Sequence, residues 1–274
     1  MTKLSSLAIF AGTDRCNANC KHCAGRSIRG YAPKRDGIIN EGLIRRTIEE
    51  CYNRGARYLS ISSGGEPTLS PRAMTKVFEL VHGYEKEGVR FFPINMYSNG
   101  IRIGKDRPFC EKYLPLWKDH GLTAVYITVH STDEMENARI YGVKHYPPLK
   151  WVLSRIHAAG LLMRANLVLN RETVSTFEKF VSTINRLTEL GVDSISAWPI
   201  RDQEDKVSLE LSPPESELDK MEDWVERHSG SGHRIRLLRE NSRMAYHTGQ
   251  KLTLFPDGTL SNTWCNTWRQ PQGR

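Results

Sequence analysis

The segment CNANCKHC, residues 16–23, follows a short apolar stretch at residues 7–11. It contains three cysteines in a C-x3-C-x2-C arrangement, namely Cys16, Cys20 and Cys23. Three thiolates can bind three irons of a [4Fe–4S] cluster, which normally has four cysteine ligands. The next cysteine, Cys51, lies in a stretch with helical spacing. The segment therefore predicts a cluster that leaves one iron open to a small molecule.

Zinc and disulfide bonds are the alternative uses of these cysteines. A zinc site usually has a second pair of Cys or His about 12–20 residues after the first. No such pair occurs between Cys23 and Cys51, although His22 could join a crowded site. Disulfides are disfavoured because the chain has six cysteines in 274 residues and its apolar start is too short for a secretion signal. We expect a reduced, cytoplasmic protein with no membrane segment.

A second motif, Gly64-Gly65-Glu66-Pro67, follows the apolar and β-branched run YLSISS at residues 58–63. Paired glycines allow a ligand to approach the main chain closely, because no Cβ is in the way. Glu66 then places a carboxylate at the carboxyl end of a strand, where it can pair with an ammonium group. Alone, this motif is also a common turn. Its position one β–α unit after the cysteines makes it specific.

Together the two motifs resemble those of the radical S-adenosylmethionine (SAM) superfamily. The resemblance implies that the three cysteines bind the cluster and that SAM chelates the open iron through its methionyl amine and carboxylate. It also implies that Gly64, Gly65 and Glu66 meet the amine. SAM would then be cleaved reductively to a 5′-deoxyadenosyl radical that removes a substrate hydrogen. In such enzymes the cofactor supplies the hard chemistry, and the protein supplies orientation and excludes side reactions.

Strand and helix patterns alternate as far as about residue 200, which predicts βαβ units and a parallel sheet. Glycines follow four of the helices, where a left-handed cap is favoured. Six units suit the partial (β/α)6 barrel that the resemblance implies, with its reactive face at the carboxyl ends of the strands. The predicted strands are 7–11, 58–62, 90–97, 124–130, 162–169 and 194–200, and the helices are 40–54, 71–87, 106–119, 147–159 and 173–190.

The pattern changes after residue 200. Residues 201–205 form a polar loop, Pro213-Pro214 opens a helix to about Arg227, and residues 251–263 are typical of a hairpin around Asp257-Gly258. This part, about 70 residues, is short for an independent domain. We therefore predict a partial barrel at residues 1–203 and a small α+β cap at residues 204–274.

Several strand ends resemble the superfamily in register. Polar groups at the end of its third strand approach the ribose of SAM, and a fourth-strand hydroxyl with a downstream arginine holds the ribose and carboxylate in several members. An arginine suits the carboxylate because its fork can bond both oxygens. In the superfamily, the end of the sixth strand often contacts the adenine of SAM. The predicted SAM contacts at these ends are Ser98, Asn99, Thr128, Arg139, Trp198 and Pro199.

For the substrate we predict contacts with His130, Arg164, Asn166 and Asp202. Arg164 and Asn166 are two residues apart on a strand, so they face the same side. The net charge of +8 and the pI near 9.2 favour an acidic partner. No nucleic-acid motif is present, so nucleic acid is not the expected partner. A polycationic substrate would need carboxylates such as Asp202 and Asp257 at its pocket, and the overall charge mildly disfavours it.

Cys265, between two tryptophans near the C-terminus, is the predicted catalytic residue. A C-terminal hairpin with a cysteine resembles the extensions that carry auxiliary clusters, but Cys51 and Cys110 fall in predicted helices and few cysteines remain. A thiol opposite the deoxyadenosyl group could instead return a hydrogen atom and invert a carbon centre. This resembles the short radical SAM epimerases of aminoglycoside antibiotic biosynthesis, of the neomycin type. The reducing partner that the superfamily implies is a flavodoxin or a ferredoxin.

Four alternatives remain open. In the first, Cys265 is a buried structural thiol. In the second, it ligates an auxiliary cluster in a dehydrogenase of a sugar or aminocyclitol alcohol. In the third, the enzyme modifies a ribosomal peptide, although no leader-binding domain is expected before the cysteines. In the fourth, the chain is a non-enzymatic iron–sulfur or zinc protein that binds nucleic acid through its basic stretches.

Overall fold

The computed structural model describes residues 3–23, 25, 30, 32–201, 206–229, 234–239 and 251–261. Its strands are β1 (Ser6–Phe10), β2 (Tyr58–Ser62), β3 (Ile94–Ser98), β4 (Ala124–Val129), β5 (Leu162–Leu169), β6 (Ser194–Pro199), β7 (Ile235–Leu237), β8 (Lys251–Leu254) and β9 (Leu260–Ser261). Its helices are α1 (Glu41–Asn53), α2 (Pro71–Glu85), α3 (Ile101–Lys105), α4 (Arg107–Asp119), α5 (Glu134–Tyr141), α6 (Leu149–Ala158), α7 (Phe177–Glu189) and α8 (Glu215–His228).

These strands form one sheet in the order β7-β6-β5-β4-β3-β2-β1-β8-β9. Among the described strands only β9 pairs antiparallel to its neighbour, and all the other pairs are parallel. Helices separate the parallel strands, as the crossover between parallel neighbours requires. The α/β class and the partial barrel predicted from the sequence are confirmed.

The C-terminal part contributes to both edges of this sheet. β7 pairs with β6, and β8 pairs with β1 before it turns back into β9. The described residues therefore contain the predicted hairpin as far as Ser261, and α8 lies at the predicted helix. The boundary between a barrel at 1–203 and a cap at 204–274 stays a prediction, since the described parts of the second segment extend the same sheet.

Besides the short α3 and β7, which the sequence did not predict, three local features differ from the sequence prediction. β3 begins at Ile94 and not at residue 90, because Pro93 has no N–H to donate to the ladder. α7 begins four residues later than predicted, at Phe177, where the Thr176 side chain accepts from the amide of Lys179. α5 was not predicted; it is a helix of 8 residues with Asp133 as its N-cap and Gly142 in the left-handed region at its C-cap.

The two faces of the sheet differ in chemistry. One set of alternating strand residues, including Ile61, Met96, Val125 and Ala165, is fully buried in the apolar core together with the helices. Side chains alternate across a strand, so the other set faces the inside of the partial barrel. That inner face carries hydroxyls, amides, aromatic rings and cations. In the part of the chain that the structure describes, no helix is long and apolar enough to cross a membrane.

Candidate active site

The cysteine loop leaves the carboxyl end of β1. Cys16, Cys20 and Cys23 are all partly exposed, and none is in a disulfide. Two main-chain hydrogen bonds fix the loop: the amide of Asn19 donates to the Tyr141 carbonyl at 2.8 Å, and the Arg15 carbonyl accepts from the Glu66 amide at 2.9 Å. The loop is thus attached to α5 on one side and to the Gly-Gly-Glu segment on the other.

The Gly-Gly-Glu segment lies against the cysteine loop, main chain to main chain. A Cβ on Gly65 would lie 2.1 Å from the Arg15 carbonyl oxygen, and a Cβ on Gly25 would lie 2.8 Å from the Gly64 carbonyl oxygen. Only glycine fits such an approach. The close approach at these glycines is made by the main chain of the cysteine loop itself, and the approach of a ligand stays a prediction.

The Glu66 side chain is buried, with 2% of its surface exposed. Its Oε1 accepts hydrogen bonds from the Thr68 amide, the Thr68 hydroxyl at 2.7 Å and the Ser98 hydroxyl at 2.8 Å. Its Oε2 accepts from the Asn99 amide at 2.8 Å. Burial raises the pKa of the Glu66 carboxyl, and these hydrogen bonds oppose that rise. The carboxylate therefore joins the end of β2 to the end of β3.

Asn99 links this carboxylate to the cysteine loop. Its Nδ2 donates to the Asn17 side chain at 2.7 Å and approaches the sulfur of Cys16 at 3.8 Å. The carbonyl of Asn99 accepts from the Tyr146 hydroxyl at 3.0 Å. The structure therefore brings together the motif residues of β1, β2 and β3 that the sequence predicted at one site.

The end of β4 adds a buried histidine. His130 is 5% exposed, packs edge-on against Tyr141, and its Nδ1 has no hydrogen-bond partner among the described residues. Burial lowers the pKa of His130 to about 4, with a further contribution from His22 in the cysteine loop. Thr128 lies two residues before His130, on the inner face of β4, and is partly buried. Its carbonyl accepts from the Tyr141 hydroxyl at 2.6 Å. A neutral imidazole thus lies beside the cysteine loop.

Arg139 forms an ion pair that the sequence did not indicate. Its guanidinium contacts the Glu172 carboxylate, and it donates to the Glu172 carbonyl at 3.1 Å. The same carboxylate accepts from Lys21 at 3.2 Å, and the pKa of Glu172 is lowered by Lys21 and Arg139. Arg139 therefore shares Glu172 with Lys21 of the cysteine loop, and its fork is engaged by a carboxylate of the protein. Glu172, in the loop after β5, carries no local sequence signal that would have identified it.

The remaining predicted residues fall into two groups. On the inner face, Trp198 has an Nε1 with no hydrogen-bond partner within the described chain, and Arg164 donates to the Asn166 side chain at 3.2 Å. Pro199, the next residue after Trp198, is buried on the core side of β6. Asp202 and Cys265, together with Glu204 and Asp205, lie outside the described residues. Cys51 and Cys110 are buried in helices with thiol pKa values raised to about 11, as expected of structural cysteines.

The donor set fits an iron–sulfur cluster with SAM. Three cysteines on one partly exposed loop can supply the thiolates, and a glycine main chain lies directly beside them. Within the residues that the structure covers, no three His, Cys, Asp or Glu side chains converge as ligands of a single metal ion would.

A parallel partial barrel with a cysteine loop after its first strand and a Gly-Gly-Glu segment against that loop defines a class of SAM-dependent iron–sulfur enzymes. The chain belongs to the Radical SAM superfamily, whose family model matches residues 11–205. Membership implies a [4Fe–4S] cluster and SAM as cofactors.

Curated relatives are similar over part of their length. The chain is 27% identical over 161 residues to a GTP 3′,8-cyclase of Klebsiella pneumoniae subsp. pneumoniae, covering 58% of this chain and 45% of that protein. It is 26% identical over 176 residues to the GTP 3′,8-cyclase of Pasteurella multocida, covering 63% and 48%. The chain thus spans about half the length of these relatives.

Solved structures share the fold. Streptococcus suis SuiB bound to its precursor peptide SuiA matches with a TM-score of 0.70 at 13% identity, covering 96% of this chain and 60% of that one. The protein anSMEcpe with bound AdoMet matches with a TM-score of 0.65 at 15% identity, covering 97% and 76%. At these identities the likeness shows the fold alone.

Proposed function

We propose that this protein cleaves SAM reductively and directs the resulting radical to a carbon of a carbohydrate, which it epimerises with a hydrogen atom from Cys265. The observation that supports a carbohydrate is the inner face of the barrel. It presents hydroxyl and amide groups from neighbouring strands, among them Asn95, Asn166 and Ser196, which are all buried. Hydroxyl-rich substrates need such paired donors and acceptors, because a buried polar group without a partner costs free energy.

Cys16, Cys20 and Cys23 would hold the cluster, and the main chain at Gly64 and Gly65 would approach the amine of SAM. Bound there, the two cofactors supply a 5′-deoxyadenosyl radical. The protein's part is to position and to shield. Asn99 hydrogen-bonds to Asn17 and approaches the Cys16 sulfur in the cysteine loop. Trp198 places an N–H on the inner face that has no partner among the described residues. His130 stays neutral above its pKa of about 4, so it adds no charge near the cysteine loop.

The hydrogen balance of this proposal is simple. The substrate carbon would lose one hydrogen atom to the radical that the bound cofactors would supply, with 5′-deoxyadenosine as the product. The Cys265 S–H bond then breaks to return one hydrogen atom to the opposite face of that carbon. A thiyl radical remains on Cys265, and one electron and one proton restore the thiol. The electron comes from the external reductant, for which we propose a flavodoxin or a ferredoxin.

The test uses anaerobically reconstituted Cys265→Ala with a candidate sugar and SAM in deuterated water. We expect deoxyadenosine to form at the wild-type rate while inverted, deuterium-labelled product disappears. Cys110→Ala, at a buried thiol in α4, is the matched control and retains both reactions. Inverted product from Cys265→Ala at the wild-type rate would exclude the hydrogen-donor role.

A second candidate is supported by the peptide complexes among similar structures, SuiB with SuiA and anSMEcpe with the Cp18Cys peptide. In that case the substrate is a peptide side chain. An auxiliary cluster, as in the dehydrogenase alternative, would make Cys265 a ligand. Iron analysis separates these cases: about four irons per chain in wild type and Cys265→Ala fit a single cluster, and about eight falling toward four fit a ligand role for Cys265.

A further inference from the structure

The inner face of the barrel is cationic. At the inward positions of the described strands the charged residues are Arg164, Arg236 and Lys251, and no Asp or Glu occupies such a position. The other inward side chains of these strands are hydroxyls, amides, aromatic rings and small apolar groups. The asymmetry concerns the substrate directly, because this face is the interior that a bound molecule would occupy.

Arg164 is the best-placed of these cations. It lies at the third position of β5, in register with Tyr126 on β4 and Ser194 on β6. Its Cζ is 3.5 Å from the centre of the Tyr126 ring, and its Nε donates to the Asn166 side chain at 3.2 Å. The ring and the amide therefore orient the guanidinium, and the Tyr97 hydroxyl is a further neighbour of it. Burial raises the pKa of Tyr97, and Arg164 opposes that rise.

Within the described residues, no carboxylate lies in ion-pair range of this guanidinium. A partly buried charge is stabilised by an opposite charge, and Arg presents a planar fork that matches carboxylate and phosphate oxygens. The Tyr126 ring compensates part of the cost through a cation–π contact. Among the described residues, the face opposite the core thus holds an oriented arginine that has no carboxylate partner.

The position is next to the cofactor residues. Tyr97 on β3 is in register with Tyr126, which is in register with Arg164. The residue after Tyr97 is Ser98, which donates to Glu66 at 2.8 Å. Arg164 therefore lies level with Tyr97, one residue before Ser98 on β3, and it lies five residues before the end of β5. If the anionic group of a small substrate binds Arg164, the rest of that substrate can reach toward the end of β3.

We propose that the substrate carries an oxyanion, a phosphate or a carboxylate, which binds Arg164 inside the barrel. The inference rests on the proposed function for the carbohydrate part, and it names the class: an acidic sugar in place of the polycationic aminoglycoside that the sequence resemblance suggests. Arg164 acts as a binding residue that selects the substrate by charge.

The experiment measures equilibrium binding of four related sugars to the reconstituted, unreduced protein by calorimetry. Glucose 6-phosphate and glucuronate carry the two oxyanions, glucose is neutral and glucosamine is cationic. We expect the acidic pair to bind about tenfold or more tightly than glucose, as a charge-assisted hydrogen bond implies, and glucosamine to bind more weakly still. The tighter of the two acidic sugars identifies phosphate or carboxylate as the preferred group.

Arg164→Gln keeps a planar amide at this position and removes the charge, so it should abolish the preference for the acidic sugars over glucose. Arg164→Lys keeps the charge and should retain part of the preference. Arg107→Gln, at an exposed ion pair on α4, is the control for loss of an arginine. A charge preference that survives in a folded Arg164→Gln protein would overturn the inference.

The two proposals fail in different ways. If all four sugars bind equally, the carbohydrate proposal stands and the oxyanion inference is wrong. If no sugar binds but inorganic phosphate does, and Arg164→Gln loses it, the oxyanion inference stands and the carbohydrate proposal is wrong. If neither sugars nor phosphate bind, the oxyanion inference is wrong.

Discussion

Gly65 and Arg15 approach so closely that a methyl group on Gly65 would lie 2.1 Å from the Arg15 carbonyl oxygen. The same oxygen accepts the Glu66 amide at 2.9 Å. The cysteine loop and the Gly-Gly-Glu segment are thus held together by main-chain atoms, and the side chain at position 65 has no room.

Gly65→Ala should therefore displace the cysteine loop and reduce cluster assembly. A Cβ cannot occupy this contact, so the main chain must move at the residue next to Cys16. We expect iron bound after anaerobic reconstitution to fall by half or more, as measured by iron and sulfide analysis.

Gly83→Ala is the matched control. Gly83 lies within α2, and a Cβ there would meet nothing within 4 Å. Alanine in a helix interior is favoured over glycine by about 0.5–1 kcal/mol, so this variant should be slightly more stable and bind iron normally. Equal iron loss in both variants would contradict the role of the Gly65 contact.

Single replacements of Cys16, Cys20 or Cys23 by serine should each abolish stable iron binding, because each removes a thiolate of the predicted cluster. Cys51→Ala should keep its iron, since Cys51 is fully buried in α1 with a thiol pKa raised to about 11. The measurement is iron per chain together with the visible absorbance of the reconstituted protein. Full iron content in any of the three serine variants would remove that cysteine from the ligand set.

Glu66→Gln should destabilise the fold as well as weaken SAM binding. The carboxylate accepts four hydrogen bonds, and an amide NH2 would face one of those donors. An unmatched buried polar group costs about 1–3 kcal/mol. Urea unfolding should show this loss, whereas Glu79→Gln on the exposed face of α2 should stay within about 0.5 kcal/mol of wild type. A Glu66→Gln protein as stable as wild type would contradict the structural role of this carboxylate.

Arg139→Gln should weaken SAM binding by about tenfold if its fork exchanges Glu172 for the methionyl carboxylate, since a charge-assisted hydrogen bond is lost. Glu172→Gln should tighten SAM binding, because it removes the competing carboxylate from Arg139. Affinities are measured by equilibrium dialysis of labelled SAM with unreduced enzyme. Arg107→Gln breaks an exposed ion pair within α4 and should have no effect. An unchanged affinity for SAM in Arg139→Gln would mean that Arg139 pairs with Glu172 only and does not bind SAM.

His130 should make the protein acid-sensitive. Its pKa is lowered from 6.5 to about 4 by burial, so the unfolded chain takes up a proton first as the pH falls. The neutral His130 therefore contributes roughly 3 kcal/mol to the free energy of unfolding above pH 6.5. This contribution is lost as the pH falls from 6.5 to about 4. His130→Gln should flatten the stability profile in this window relative to wild type, and His145→Gln, at an exposed histidine, should not. Parallel profiles for wild type and His130→Gln would contradict the assignment.

Patterns within single elements predicted the fold best. β2 and β5 have the predicted bounds because each is a continuous β-rich run, ending before Ser63-Gly64 or beginning after Gly160-Leu161. Gly88, Gly121, Gly160 and Gly191 all have the positive φ expected after a helix. α5 was missed because it has 8 residues, and β7 because it has 3. Such short elements form through tertiary contacts more than through their own periodicity.

The site was predicted where residues belong to motifs and missed where long-range contacts create it. The three cysteines and the Gly-Gly-Glu segment carry their signal in their spacing. Glu172 and Tyr146 meet Arg139 and Asn99 across 33 and 47 residues, and no local pattern indicates either pair. The strand period placed Arg164 and Asn166 on one face, but only the sheet register shows that Tyr126 lies beneath the guanidinium.

The pairing of β1 with β8 joins residues 6–9 to residues 251–254. A growing chain can complete six β–α units before β8 has been synthesised, and until then β1 is an open edge strand with the cysteines immediately after it. Contacts this distant in sequence form slowly, because a long loop must first close. Biogenesis therefore provides an interval in which the three thiols are already held near α5 and the Gly-Gly-Glu segment while the first strand has only one neighbour.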